Sequence, residues 1–466
     1  MPPVVVPMRP PAPAGAPGAA VSPLAAAHAF LSRLRRPSTV LVAVSGGSDS
    51  VGLLLALHHA VKTAGARHRL VACTVDHALR PGSAAEAEAV ARRCAALGIA
   101  HTVARWVHSG IVSGLQAEAR LARYRLLSEA ARAFDADLVV TGHSRDDQGE
   151  TVAMRAARRP DASRDEAAAI GLAGMADAVL FDRTLWICRP FLTVPRQAVR
   201  DYLTSLGEGW IDDPSNDDPR FERVRIRQAG RDSAGQAPEA ILRDAVSRRL
   251  TSDRAVAQLF TDRVRFHAEI AAEIACADGE VTDLPGQRLL VLLAATLAGK
   301  PHPIGQETAA RLFQSLGTGH PGATTAGGCV FERRGGRLFV YRERRNLPPP
   351  MILAPGQALI WDGRFAIGNR GTRALTLAAG GDPALVRRLT AAGLPPGVAG
   401  RVAKAAPDLR FPDGAAADPA AFSRTPVIAP YDTFLPRFDL MIAQSIAAQL
   451  HRAPFPTCPV DDISTK

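Results

Sequence analysis

The sequence predicts an α/β protein, with a parallel-sheet domain followed by a helical domain and a small α+β C-terminal domain. From Ser38 onward, short aliphatic runs alternate with longer helical stretches, the rhythm of βαβ units. The 466 residues exceed one ordinary core and, at roughly 150 residues per domain, suggest about three. Apolar residues make up 47% of the chain but aromatics only 5%, which points to Ala-rich helices packed on short strands. That composition excludes disorder throughout and argues against an all-β protein.

Residues 1–24 form a Pro/Ala-rich tract read as a flexible tail. Ser38–Val44 reads as a buried strand, and a helix runs from Asp49 to near Gly65. Arg69–His77 is the second strand, AAEAEAVARRCAALG the next helix and Ala100–Trp106 the third strand. A helix over GLQAEARLARYRLLSEAARAFDAD precedes the strand Leu138–His143, and another begins near Asp146. These units place a first domain at 25–230, with irregular stretches at 158–177 and 210–228 that a ligand could order. Residues 235–316 read as mostly helical, RVRFHAEIAAEIA included, and 327–346 alternate around Gly335-Gly336 as a basic β-hairpin. A helical domain at 231–346 would therefore end in that hairpin, a candidate for gripping nucleic acid. Asn346–Pro350 is a linker and 351–466 the small C-terminal domain.

Lys and Arg total 56 against 45 Asp and Glu, a net charge of +11 that favours an anionic partner or simply a basic, soluble surface. Six cysteines lie scattered without a C-x-x-C pair, so no zinc, redox-dithiol or iron–sulfur site reads from their spacing. Reduced structural thiols are expected. No apolar run reaches the roughly 18 residues of a membrane span, and the N-terminus lacks a signal-peptide pattern. The expectation is a soluble cytoplasmic protein with no membrane partner.

The chemistry concentrates at Ser45-Gly46-Gly47-Ser48-Asp49-Ser50, between an aliphatic strand and an amphipathic helix. Two glycines allow a sharp turn and close approach to a ligand, and the helix offers free N–H groups to phosphate oxygens. Asp49 fits an anion cradle through a Mg²⁺ held between carboxylate and phosphates. No Walker motif is present. Asp146, Asp147 and Glu150 put three carboxylates on one helical turn, where they could serve the helix dipole, bind ammonium groups or help hold Mg²⁺. His143 ends a strand and could orient phosphate, accept a proton from an amine or be structural. Arg120 and Arg123 share a helix face and could neutralise pyrophosphate, hold RNA phosphate or form a solvated stripe. Asp76 and His77 end the second strand, in reach of a nucleotide's base or ribose.

SGGSDS after VLVAV resembles the PP-loop of the N-type ATP pyrophosphatases, the adenine nucleotide alpha hydrolase-like fold. VDHALR (75–80), AEARLARYRLL (117–127), GHSRDDQGETVAMR (142–155), RPFLTVPRQAVRDYL (189–203) and WIDDPSNDD (210–218) resemble the tRNA(Ile)-lysidine synthetase family, in the family's order over roughly residues 38–230. The resemblance implies ATP-dependent ligation of lysine to C2 of the wobble cytidine in a tRNA(Ile) with a CAU anticodon, releasing AMP and diphosphate. It implies ATP at Ser45, Gly46, Gly47, Ser48, Asp49 and Ser50 and Mg²⁺ at Asp49. It further implies free L-lysine at Asp147 and Glu150, and tRNA at Arg123, Arg223 and Arg227. Asp49, His143, Asp146, Asp147, Glu150 and Arg120 are the implied catalytic group, with a homodimer as the candidate assembly.

Three departures from that family stand out. A paired histidine is here His143-Ser144, a Gly-rich piece is replaced by RRPDASRDEAAAIG, and an Arg-Asn pair appears as Arg223-Val224. The rivals are another PP-loop enzyme, such as a tRNA thiolase or an amide-forming synthetase, and a non-catalytic RNA-binding protein with a worn ATP site. Lack of C-x-x-C argues against sulfur transfer, which needs placed thiolates.

Overall fold

The computed structural model describes residues 21–63, 67–78, 82–108, 115–157, 172–212, 225–226, 239–275, 283–317 and 321–461. They fall into two compact units, one of residues 1–148, 189–218 and 460–466, the other of 149–188 and 219–459.

In the first unit, α1 (Pro23–Ser32) is followed by the βα alternation that the hydrophobic pattern predicts. The elements are β1 (Thr39–Ala43), α2 (Ser48–Thr63), β2 (Arg69–Asp76), α3 (Ser83–Ala96), β3 (Ala100–Arg105), α4 (Leu115–Ala133), β4 (Leu138–Val140) and the start of α5 (Arg145–Ala157). The four strands are parallel, in the order β4-β1-β2-β3, with Val40 opposite both Leu70 and Leu138. Val40, Leu41 and Val42 are wholly buried because β1 is central, with a strand on either side. A further helix, α6 (Arg196–Ser205), packs on α2 and begins at Pro195, whose fixed φ suits the approach to a helix start. The chain returns to this unit at its far end. Leu34 forms a β-bridge with Val460, and Arg33 donates to the Asp461 carbonyl.

The second unit carries β5 (Ala178–Phe181) and β6 (Leu185–Cys188) in an antiparallel hairpin that also pairs with Phe434–Pro436. The long helix α7 (Glu239–Arg263) follows. The helix expected over RVRFHAEIAAEIA is instead a hairpin, β7 (Val264–His267) and β8 (Ala271–Ala275). Ala268 and Glu269 take left-handed φ values of 48° and 64°, which turns the chain back on itself, and β8 then joins the basic hairpin in a five-stranded antiparallel sheet. That basic hairpin is present as expected, Cys329–Arg334 against Arg337–Arg342. Arg333, however, turns inward and donates to the Leu316 carbonyl, leaving Arg334 and Arg337 exposed. A buried network ties α7 to its neighbours: Arg249 and Arg288 both pair with Asp253, whose side chain is wholly buried, and Arg249 also pairs with Asp439. The C-terminal part holds two three-stranded antiparallel sheets around Trp361, Phe365 and Leu377, and this core continues into Ile270, Phe339 and Tyr341 of the five-stranded sheet's region.

The described cysteines are buried, and none of them forms a disulfide with another described residue. No helix among the described residues is long and apolar enough to cross a membrane.

Candidate active site

β1 delivers the chain to the SGGSDS turn, and the Val44 N–H, donating to the Cys73 carbonyl at 2.9 Å, carries its pairing with β2 one residue further. Gly46 then takes φ +89°, open to glycine at little cost, and a Cβ there would lie 2.8 Å from the Ile211 Cδ1. Ile211 also donates its N–H to the Gly46 carbonyl at 2.9 Å, so a residue far along the chain braces the turn. Ser50 is partly structural: its Oγ accepts from the Ser45 amide at 3.1 Å and donates to the Gly47 carbonyl at 3.0 Å. The amides of Ser48, Asp49 and Ser50 open α2 and have no partner within the helix, the standard provision for an anion.

Gly142, just past β4, lies directly against that first turn. An added Cβ would fall 2.7 Å from the Asp49 carbonyl oxygen and 2.9 Å from the Ser50 nitrogen, so only glycine lets the chain after β4 come this close to the first turn of α2. Ser144, standing where the related family pairs a second histidine, starts α5. Its amide and its hydroxyl both donate to Asp147 Oδ2, at 2.8 and 3.0 Å.

Arg196, at the start of α6, joins these pieces. Its Nε donates to Asp49 Oδ2 and its Nη2 to Asp147 Oδ1, each at 2.9 Å, while its backbone N–H donates to Asp146 Oδ2 at 2.8 Å. The phosphate loop and the acidic helix start are therefore one constellation, clamped by a guanidinium. Burial pushes the Asp49 carboxyl up, and neighbouring Asp147 adds to this, against the opposing pull of Arg196. For Asp147 burial acts in the same direction but is outweighed by Arg196 and the Ser144 hydrogen bonds, which hold it below the usual carboxylate range. Asp146 is occupied in anchoring α6, and Glu150 is buried one turn further along α5.

A cationic wall flanks the acids. Arg120 and Arg123 lie 5.0 and 5.9 Å from the ring centroid of the buried Tyr124. Burial alone would raise the Tyr124 phenol, but Arg120, Arg123 and Arg189 bring it below its ordinary value. The half-buried His143 shares one ring nitrogen, Nδ1, with the Thr141 hydroxyl at 2.9 Å. Burial and the charges of Arg189, Arg123 and Arg120 push its imidazole down to about 3, so it is neutral at physiological pH.

The structure thus brings Asp49, His143, Asp146, Asp147, Arg120 and Arg123 around the C-terminal ends of β1 and β4. Arg223 and Arg227 lie outside the described residues, as do 158–171 and most of the stretch after Trp210. Arg196, Arg189 and Ile211 are the participants that sequence reasoning passed over; Arg189 and Arg196 stand in RPFLTVPRQAVRDYL, and only that segment's place in the family order marked it.

Residues 24–230 match the PP-loop domain family. A tRNA(Ile)-lysidine synthase of Rhizobium meliloti (strain 1021) is 46% identical over 94% of this chain and 97% of its own length. Its counterpart in Mesorhizobium japonicum is 40% identical over 90% and 94%, and that of Brucella canis 36% identical over 90% and 96%. A solved structure, the U34-tRNA thiolase NcsA from Methanococcus maripaludis with its [4Fe-4S] cluster, overlaps 48% of this chain and 77% of its own at TM-score 0.38 and 16% identity, too loosely to bear on the reaction.

Proposed function

The chain belongs to the tRNA(Ile)-lysidine synthase family, and from that premise we propose that it joins L-lysine to C2 of the wobble cytidine in a CAU-anticodon tRNA(Ile), splitting ATP to AMP and diphosphate. The observation that carries this reading is the Arg196 clamp, which holds the phosphate loop through Asp49 and the acidic helix start through Asp147 in a single site. A reaction that couples a nucleotide triphosphate to an amino acid needs those two functions side by side.

In the first step the cytidine O2 attacks the α-phosphorus and diphosphate leaves. Ser45 to Ser50 seat the phosphates, with first-turn amides facing their oxygens, and Arg120, Arg123 and Arg189 supply positive charge to offset the negative charge that builds on the leaving diphosphate. Mg²⁺ fits the chemistry of the donors present: it commonly takes one carboxylate plus substrate oxygens, and Asp49 offers a carboxylate in the first turn of α2, beside the phosphate-facing amides. Asp49 would hold it, and its charge would screen the phosphates. In the second step the lysine ε-amine attacks the activated C2 and AMP departs. Asp147 and Glu150 orient the ammonium ends of lysine, neutral His143 is placed to accept a hydrogen bond from the amine, and the proton that the amine sheds passes on to solvent, because an imidazole held down to about 3 does not keep it. Arg223 and Arg227 are assigned to tRNA on the family pattern alone.

The test is incorporation of labelled lysine into total tRNA with ATP and Mg²⁺, comparing the protein with Asp49→Ala. Label in one minor isoleucine tRNA, lost in the variant, is expected. ATP cleavage without lysine entry would leave a PP-loop enzyme of another subfamily, and tRNA binding without turnover would leave an RNA-binding protein.

A further inference from the structure

Past the end of β3 the chain builds an aromatic corner that no step above uses. The Trp106 backbone N–H donates to the Asp76 carbonyl at 2.8 Å, which places the residue at the C-terminal ends of β2 and β3, the same edge of the sheet that carries the SGGSDS turn. Trp106 and His108, two residues apart in extended chain, share a face, with ring centroids 4.5 Å apart and planes tilted by 43°. His77 meets the indole edge-on at 6.0 Å. The Nδ1 atoms of His77 and His108 are both buried with no hydrogen-bond partner among the described residues. Buried polar atoms are seldom left so, and two within one aromatic cluster point to a ligand that supplies the missing donor or acceptor.

The surroundings say which kind of ligand. The positive charge of Arg123 bears on both His77 and His143, and Arg105, 71% exposed, stands 3.9 Å from Asp76 at the rim. A flat ring system with hydrogen-bonding edges, carried on a polyanion, matches aromatic faces, unsatisfied imidazole nitrogens and rim arginines together. Unpaired bases in RNA loops are recognised in this way, by stacking and by their exposed edges.

We propose that Trp106, with His77 and His108, forms a stacking subsite for an unpaired anticodon-loop base next to the wobble cytidine. The proposal rests on the tRNA-modifying reading and deepens it by assigning the neighbour base a place beside the reaction centre. Stacking of this sort would hold the loop open, so that the wobble base alone reaches the phosphate loop.

The test uses the full-length protein and an anticodon stem-loop RNA carrying fluorescent 2-aminopurine at either neighbour of the wobble cytidine. Quenching at one of the two positions is expected on binding, as a base stacks on indole. Trp106→Ala should abolish that quenching and weaken RNA binding by about 5- to 150-fold, the range for loss of a base–aromatic stack, with Trp106→Phe recovering most of it. His108→Ala should weaken binding by a smaller factor. The ATP KM should be unchanged in all three variants. Wild-type RNA affinity and quenching in Trp106→Ala would overturn the proposal. So would a rise in the ATP KM with RNA binding intact, which would make adenine of ATP the occupant. Lysine incorporation by the wild-type protein is measured in parallel. Its absence would sink the lysidine reading, while the fluorescence still decides the subsite.

Discussion

Replacing Arg196 by alanine should do more damage at neutral pH than in mild acid. The guanidinium makes two ion pairs at 2.9 Å, with side-chain exposures of 17% for Arg196, 20% for Asp49 and 14% for Asp147. Removing one member of a buried ion pair costs about 3–5 kcal/mol, and the partial exposure here argues for the lower end, about 3 kcal/mol. The pH dependence follows from the two carboxylates. Asp147 is held below its ordinary value, so its pairing stabilises the fold above the unfolded-state carboxylate pKa and is lost as pH falls through the lower folded value. Asp49 is pushed up by burial even with Arg196 present, so its ionised form is a strain at neutral pH that eases as pH falls. Without Arg196 both carboxyls rise and repel one another, and protonation relieves them. The deficit should therefore be largest at neutral pH and shrink as pH falls and the raised carboxyls protonate. Hydrogen exchange of the β1 and α2 amides reads this locally, without assuming that both units unfold together. A deficit below about 1 kcal/mol at pH 7, or one that persists unchanged in acid, would refute the clamp. Arg196→Lys should recover only part, because a point charge cannot fork between two carboxylates.

Gly142→Ala should destabilise the first unit by about 1–3 kcal/mol and raise the ATP KM, since its Cβ would press on the Asp49 carbonyl; thermal unfolding and a KM at the wild-type value would refute this. In the free protein the His143 imidazole should remain neutral from pH 8 to about pH 5 by NMR, because its folded value lies far below the unfolded reference near 6.5. The linked stability is present above that reference and declines as pH falls below it, and a His143 titrating near 6.5 would contradict the geometry. Asp253→Ala should cost the second unit about 3–5 kcal/mol by leaving Arg249 and Arg288 without their shared carboxylate, with Asp253→Asn milder. Calorimetric unfolding of both variants checks it.

The β1 to α5 alternation was legible because each element carries its own period and its own turn residues, and the hexad was legible because its chemistry is local. Boundaries still moved by a few residues: β4 ends at Val140 rather than His143, since the chain after it swings past the α2 turn. What escaped were the partners supplied from afar. Nothing within RPFLTVPRQAVRDYL says that Arg196 rather than Arg200 reaches two carboxylates; that depends on Pro195 starting α6 where the Asp146 carboxylate can take the helix's first amide. RVRFHAEIAAEIA misled for a different reason. Its Ala, Glu and Arg content favours helix, but pairing with Arg337–Tyr341 along one edge and two left-handed residues at the turn make the hairpin. Ser144 stands where the related family has an imidazole, and its amide and hydroxyl both donate to Asp147 at the start of α5.

The bridge from Leu34 to Val460, with Arg33 and Arg35 both reaching Asp461, sets an order on how the protein is made. The unit that holds the site is assembled from three stretches of chain, and the last leaves the ribosome only after the whole second unit. At about 5–20 residues per second, α1 and β1 wait between roughly 20 and 90 s for the segment that seals them. Until residue 460 has been made, the nascent sheet keeps one flank of Leu34 uncovered, however early the SGGSDS turn emerges.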